Sequence, residues 1–334
     1  VSAPRPEVAR YLARVSPRAS AVRIEGDAST RIFYRVTRED GSTCVIMDYG
    51  SAFAGETDDV VLARIFEAAG LRVARILDVA GDPGCLLLED LGPVTLEQAL
   101  LEHGAPTRDL VDRAVRLAAD VAVKGTPVLA RSPRSAGPAL DAGRFRFEMD
   151  HFLKHYVCGL LGRDPPPPAL APALHELADR AAETPAPVLC HRDFHSRNLM
   201  LLGGGDLAMV DIQDARWGPP GYDLASLLYD AYVDLDPDWN DAMIRLHCAR
   251  TGADEADFRA RFGTVAVQRM LKALGTFGFQ ARVRGNRRYL GGVPRTIDRL
   301  RGLLPGLPGA PGLAGLLERA GILDGPPSNR EAAP

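Results

Sequence analysis

The residue pattern changes period once along this chain, near Thr95, and no other feature limits the fold so strongly. Before that point the apolar residues fall in short stretches of strand character, at 21–25, 32–37 and 43–48. Gly26-Asp27-Ala28-Ser29 and Arg38-Glu39-Asp40-Gly41-Ser42 separate them, as in an antiparallel meander. A first helix is expected over 6–15. A second is expected over 57–69, where Val61, Leu62, Ile65 and Phe66 recur at helical spacing and Gly70 supplies a stop. Strands at 73–79 and 85–89 complete this part. Thr95, with Gln98 three residues on, reads as a capping box, and the chain then turns helical. Helices are expected over 107–124, 145–161 and 173–183, the last with Pro172 just ahead of it, and again through most of 222–303. The prolines at 165–168 read as a spacer, and two short strands, 188–191 and 207–211, interrupt the helical part.

The expected architecture is therefore α+β and bilobal: a small antiparallel-sheet lobe over 1–90, a connector near 89–92, and a larger, mainly helical lobe over 93–322. A last helix is expected over 313–320, and residues 323–334 read as a disordered tail. A net charge of −3 gives no basic excess of the kind that holds a nucleic-acid backbone. No apolar run is long enough to span a membrane, and the first eighteen residues lack an apolar export core, so a cytoplasmic chain, working as a monomer, is expected. The five cysteines are scattered and never paired as C-x-x-C, which argues for reduced thiols rather than disulfides or zinc.

The chemistry is concentrated in Cys190-His191-Arg192-Asp193-Phe194-His195-Ser196-Arg197-Asn198, a polar loop between apolar segments that fits H-R-D-x-x-x-x-N. In that pattern the aspartate orients the nucleophile's proton and the asparagine holds Mg²⁺. Leu207-Ala208-Met209-Val210-Asp211 then supplies a strand ending in an acid, where kinases carry a second metal ligand. One carboxylate and one amide oxygen suffice for Mg²⁺ when ATP and water complete its shell. Taken singly, Asp193 and Asn198 could as readily be polar turn residues; the second strand-and-acid element at the expected distance decides against that. His191 reads as a brace of the loop. His195 and Arg197 are open between touching phosphate and lying on a solvated loop.

The H-x-D-x-x-x-x-N and D-x-x-D segments, followed by Tyr222-Asp223-Leu224-Ala225-Ser226-Leu227-Leu228, resemble the aminoglycoside phosphotransferase and choline kinase superfamily, with its protein-kinase-like fold. Residues 26–35, 191–198 and 211–215 more narrowly resemble the bacterial N-acetylmuramate/N-acetylglucosamine anomeric kinases of cell-wall recycling, over about 21–322. The resemblance implies ATP-dependent, Mg²⁺-dependent phosphorylation of a sugar's C1 hydroxyl. By position, Asp193 would be the catalytic base and Asn198 and Asp211 the metal ligands. Gly26, Asp27, Ala28, Ser29, Thr30 and Arg31 would lie over the ATP phosphates, Glu89, Asp90 and Leu91 would form the adenine-binding hinge, and Asp223 would brace the catalytic loop. Glu148, Asp214, Arg216 and Trp217, with His195 and Arg197, are candidates for the acceptor site.

Some of these positions keep two readings. The 26–30 segment has one glycine rather than three and could be a plain hairpin turn; Trp217 could stack on a sugar ring or pack a Gly-Pro-Pro turn. Kinases place a phosphate-binding lysine on the third strand, yet this chain has none before Lys124, and Met47 stands at the corresponding place. Arg31 or Arg35 could supply the charge, or Mg²⁺ and backbone amides alone. Other acceptors, such as an aminoglycoside or choline, and a non-catalytic nucleotide-binding module are the competing readings. A protein kinase is disfavoured because no A-P-E segment follows Asp211 at the usual distance.

Overall fold

The computed structural model describes residues 3–24, 31–102, 107–307 and 312–326. Helix α1 (Pro6–Val15) leads into strands β1 (Ser20–Ile24), β2 (Ile32–Thr37) and β3 (Thr43–Asp48), then helix α2 (Asp58–Ala68) and strands β4 (Ile76–Ala80) and β5 (Cys85–Glu89). The five strands form one antiparallel sheet in the order β1-β2-β3-β5-β4. Because side chains alternate along a strand, β3 sends Cys44 and Ile46 to one face and Met47 to the other. The first face packs under α1 with Val8, Tyr11 and Leu12, together with Tyr34, Val36 and Leu87. The second packs Met47 and Leu86 against Val60 of α2. Burying both faces explains why β3 is apolar from Cys44 to Met47, and the buried acid at its end, Asp48, is matched by Arg5 at 2.8 Å.

Helices α3 (Leu96–Glu102), α4 (Arg108–Asp120), α5 (Thr126–Arg131), α6 (Ala142–Phe152) and α7 (Leu170–Ala182) follow. The capping box forms at the start of α3: Thr95 N–H donates to Gln98 Oε1 at 2.9 Å, and Gln98 N–H to Thr95 Oγ1 at 3.2 Å. Pro172 lies inside the first turn of α7 rather than ahead of it, a place where a missing N–H costs nothing. The helices expected at 107–124 and 145–161 do run that far, but both end in π-type turns, Val121–Gly125 and Leu153–Leu160. Then come β6 (Val188–Cys190), β7 (Leu199–Leu201), β8 (Leu207–Met209), β9 (Arg216–Gly218) and helices α8 (Tyr222–Leu228), α9 (Asn240–Thr251), α10 (Glu255–Arg282), α11 (Val293–Leu303) and α12 (Leu313–Arg319). Strands β7 and β9, three residues each, are too short to read from the sequence.

The chain divides into two compact units, Val1–Val94 with Met200–Gln213, and Thr95–Leu199 with Asp214–Pro334. Segment 200–213 had been expected in the helical lobe. It joins the sheet-bearing unit because Met209 bridges Val73, its N–H donates to Arg72 O at 2.9 Å, and Leu201 N–H donates to Val94 O at 2.9 Å. The tail expected to loosen at 323 instead begins packed: Ile322 and Leu323 are buried, and Arg301 donates to the Leu323 carbonyl. Among the described residues no helix is long and apolar enough to cross a membrane.

Candidate active site

Strand β6 delivers the chain into the 191–198 loop, and Asp223 from α8 ties that loop down. Its carboxylate accepts from His191 N–H at 2.7 Å and Arg192 N–H at 2.9 Å. Asp230 does the same farther along, accepting from Ser196 N–H at 2.7 Å and Tyr232 N–H at 2.8 Å. Backbone N–H groups buried in a loop must find acceptors, and carboxylates supply strong ones. Arg192 sits in the left-handed region at φ 83°, unusual for a non-glycine and sustained here by the two bonds to Asp223. His191 is fully buried, edge-on to Phe194.

Asp193 is held by two cations from α10, three residues apart and thus on one helical face: Lys272 Nζ lies 2.7 Å and Arg269 Nη2 3.6 Å from its Oδ1. Burial works against an ionised carboxyl, but Lys272, Arg192 and Arg269 outweigh it and hold Asp193 well below the usual carboxylate range. Burial also lowers the Lys272 ammonium from its ordinary value against the pull of Asp193. Asn198 Nδ2 donates to the Asp193 carbonyl at 2.9 Å, which orients the amide and makes Oδ1 the atom a hard cation would take.

Of the acceptor-site candidates, Glu148, Asp214 and Arg216 gather around Arg192, whereas Trp217, Arg197 and His195 have other partners. Glu148 of α6 is only 3% exposed and accepts from Arg144, Arg192 and Gln268, so its carboxylate is an internal brace and not a group facing a ligand. Asp214 is paired with Arg192 at 2.9 Å and Arg216 at 2.6 Å. Trp217 donates Nε1–H to Ser135 O at 2.9 Å, fixing the indole against the chain before α6. Arg197 forks onto Glu97 of α3 and lies 3.7 Å over the Tyr232 ring; His195 meets the same ring edge-on, and burial lowers its pKa to about 4, so it is neutral near pH 7. Around Asp193 the cations Arg144, Arg192, Arg216, Arg269 and Lys272 thus stand among the carboxylates Glu148, Asp193 and Asp214, with the buried Asp223 and Asp230 holding the same loop.

In the sheet-bearing unit Asp211 is exposed at the end of the β8 segment, at φ 62°, and accepts from Gln213 Nε2 at 2.7 Å. Arg31 pairs with Asp59 of α2 at 3.0 Å and lies over Tyr49, whose hydroxyl donates to the same carboxylate at 2.6 Å. Arg35 binds Asp90 at 2.7 Å and the Gly92 carbonyl at 3.0 Å, so it braces the connector. Glu89 is paired with Arg72 and Arg75, and the hydrogen bond from Arg72 holds its carboxyl at about 2. Met47 is 4% exposed in the sheet core and brings no charge to a nucleotide. Gly26, Asp27, Ala28, Ser29 and Thr30 lie outside the described residues, and Leu91 follows the connector acid with its side chain partly exposed. Among the described residues no three His, Cys, Asp or Glu side chains cluster to hold a metal by themselves, so any divalent cation here must draw ligands from an amide such as Asn198 or from a bound nucleotide.

Lys272 and Arg269 were not singled out by the sequence reading. The available signal was their spacing three apart on a helix whose buried positions are mostly apolar, and the rarity of lysine, since Lys272 is one of three in the chain.

Comparison with known proteins agrees with this arrangement. The sequence profile of the phosphotransferase enzyme family matches residues 20–260. The chain is 32% identical over 289 residues to the N-acetylmuramate/N-acetylglucosamine kinase of Pseudomonas aeruginosa, covering 84% of this chain and 82% of that one. To the protein of the same name in Neisseria meningitidis serogroup B it is 30% identical over 290 residues, covering 82% and 83%. Among solved structures it is similar to a choline/ethanolamine kinase family protein from Mesorhizobium loti, with a TM-score of 0.61 at 15% identity over 94% of this chain and 98% of that one. It is also similar to a thermostable aminoglycoside phosphotransferase solved with ADP and hygromycin B, with a TM-score of 0.57 at 17% identity over 90% and 98%. The fold, an antiparallel-sheet unit joined to a mainly helical one, is thus the kinase-like fold of these enzymes. With most of its length matched, the chain belongs to the phosphotransferase enzyme family and is an ATP-dependent kinase.

Proposed function

We propose that the protein phosphorylates the C1 hydroxyl of N-acetylmuramate and N-acetylglucosamine with Mg²⁺ and ATP, giving sugar 1-phosphates that return cell-wall material to use. The observation that carries this reading is the similarity, over more than four fifths of both chains, to two kinases named for these sugars. The connected parts also count against a non-catalytic module, because the loop carboxylate is both ionised and braced at two places.

In this reading the sugar hydroxyl donates to Asp193, which orients its oxygen toward the γ-phosphorus and takes the proton as the new bond forms. Asp223 and Asp230 keep the loop in register for that alignment. The Asn198 amide oxygen and the Asp211 carboxylate would hold Mg²⁺, which when bound would supply charge neutralisation on the nucleotide phosphates. Arg31, held by Asp59, is the cation that takes the missing lysine's place on those phosphates, since Arg35 is committed to the connector and Met47 is apolar. Asp214, Arg216 and Trp217 line the acceptor's side; Glu148, Arg197 and His195 support it from behind.

The test is ADP release with Mg-ATP and a panel of N-acetylmuramate, N-acetylglucosamine, glucosamine, kanamycin and choline, beside Asp193→Asn. Turnover is expected with the two N-acetyl sugars, with phosphorus NMR placing the phosphate on C1. Asp193→Asn is expected to lose about 10²- to 10⁴-fold in turnover, with little change in substrate affinity. Turnover with kanamycin or choline instead would refute the acceptor assignment.

A further inference from the structure

We infer that Lys272 is a catalytic residue of the transfer step, donating to the phosphoryl group as it passes from ATP to the acceptor. The inference rests on Asp193 being the carboxylate that receives the acceptor's hydroxyl. An ammonium carries three N–H donors. Only 14% of the Lys272 side chain is exposed, yet among the described residues just one donor has an acceptor, Oδ1 of Asp193 at 2.7 Å. A lysine largely withdrawn from water is costly to keep charged, and bracing Asp193 alone would not require it. Arg269 already stands beside Asp193 and is anchored by its own bond to Ser226 Oγ at 3.0 Å. An arriving dianionic phosphoryl group answers that need.

Distance makes the same demand. An acceptor oxygen hydrogen-bonded to Asp193 stands about 3 Å from that carboxylate, with the phosphorus about 3 Å beyond it in a near-attack arrangement. A flexible ammonium already touching the carboxylate reaches that volume without rearranging the helix that carries it. In the step itself, the lone pair of the acceptor oxygen forms the new P–O bond while the bond from γ-phosphorus to the β,γ-bridging oxygen breaks, its electron pair leaving on ADP. The acceptor's proton passes to Asp193. Lys272 neither gains nor loses a proton; it donates to a non-bridging oxygen whose charge changes in the transition state.

Two substitutions separate this role from bracing. Lys272→Met removes charge and donor together. Lys272→Gln keeps a donor for Asp193 and removes the charge. With N-acetylmuramate as acceptor, both variants are expected to lose about 10²- to 10³-fold in kcat, the scale of one lost transition-state donor. KM values should stay within about threefold, since the contact is made chiefly in the transition state. Calorimetry with ADP, aluminium fluoride and N-acetylmuramate, which together mimic the transferring group, is expected to show a matching loss of affinity while ADP alone binds normally. Near-wild-type kcat in Lys272→Gln, or unchanged affinity for the mimic in either variant, would overturn the inference and leave Lys272 a brace. If Asp193→Asn stays active, the underlying reading of Asp193 fails instead. Should the Met variant not fold, the Gln variant decides alone.

Discussion

Carboxylates in this chain do two different jobs, and their surroundings tell them apart. Asp223, Asp230 and Glu148 are buried and spend their oxygens on backbone N–H groups or on arginine, so they hold geometry. Asp193 has a lysine and an arginine beside one oxygen and is the carboxylate proposed above for the chemistry. Glu89 is a bracing case whose effect can be measured by pH. Its folded-state pKa, about 2, lies below the ordinary 4.5, so the stability it contributes is complete above about 4.5 and is lost as pH falls toward 2. Glu89→Gln should therefore be about 1 kcal/mol less stable than the wild type near neutral pH, a modest figure because Arg72 and Arg75 are partly solvated. In urea melts at a series of pH values, that difference should shrink as the pH approaches 2; a constant difference would show that the ion pairs do not carry it.

Helix α10 illustrates what an element must do before its residues can act. Its side of the bundle is so close to the segment around residue 155 that Gly278 has no room for a side chain: a Cβ there would stand 2.3 Å from His155 O, and one at Gly275 would stand 2.8 Å from Phe152 Cα. Close approach of this kind sets the helix's position, and with it that of Arg269 and Lys272. Gly278→Ala should cost about 2 kcal/mol or more, since backbone atoms cannot move aside, whereas Gly291→Ala, with open space around it, should be near neutral. Thermal melts of the two variants check this, and equal stability would refute it. The helix itself was legible as part of a long apolar-spaced region, but its partners were not. A contact between Lys272 and Asp193 joins residues 79 positions apart, and no local pattern records it. The motif that proposes Asp193, Asn198 and Asp211 stands out in the sequence because its order and spacing are local. Glu148 misled for the converse reason, since a lone acid on a helix gives no sign of the arginines that will surround it.

At the scale of the whole chain, the strands and helices of the first ninety residues could be read closely because each is bounded by turn residues. The membership of 200–213 could not, because a short hairpin carries no mark of which core it will join. That segment brings the buried Leu207, Ala208 and Met209 to the unit that begins the chain. A fragment ending at Val94 should consequently lack a cooperative melting transition and bind hydrophobic dyes, and a sharp transition in that fragment would show the segment to be dispensable. The same discontinuity has a consequence for synthesis in the cell. A ribosome releases residues in order, so the opening sheet must wait, with apolar surface uncovered, until Gln213 has emerged and the intervening residues 95–199 have been made. The sheet is thus made before residues 95–199 but finished only after them, and the nascent chain meets chaperones with that surface open in between.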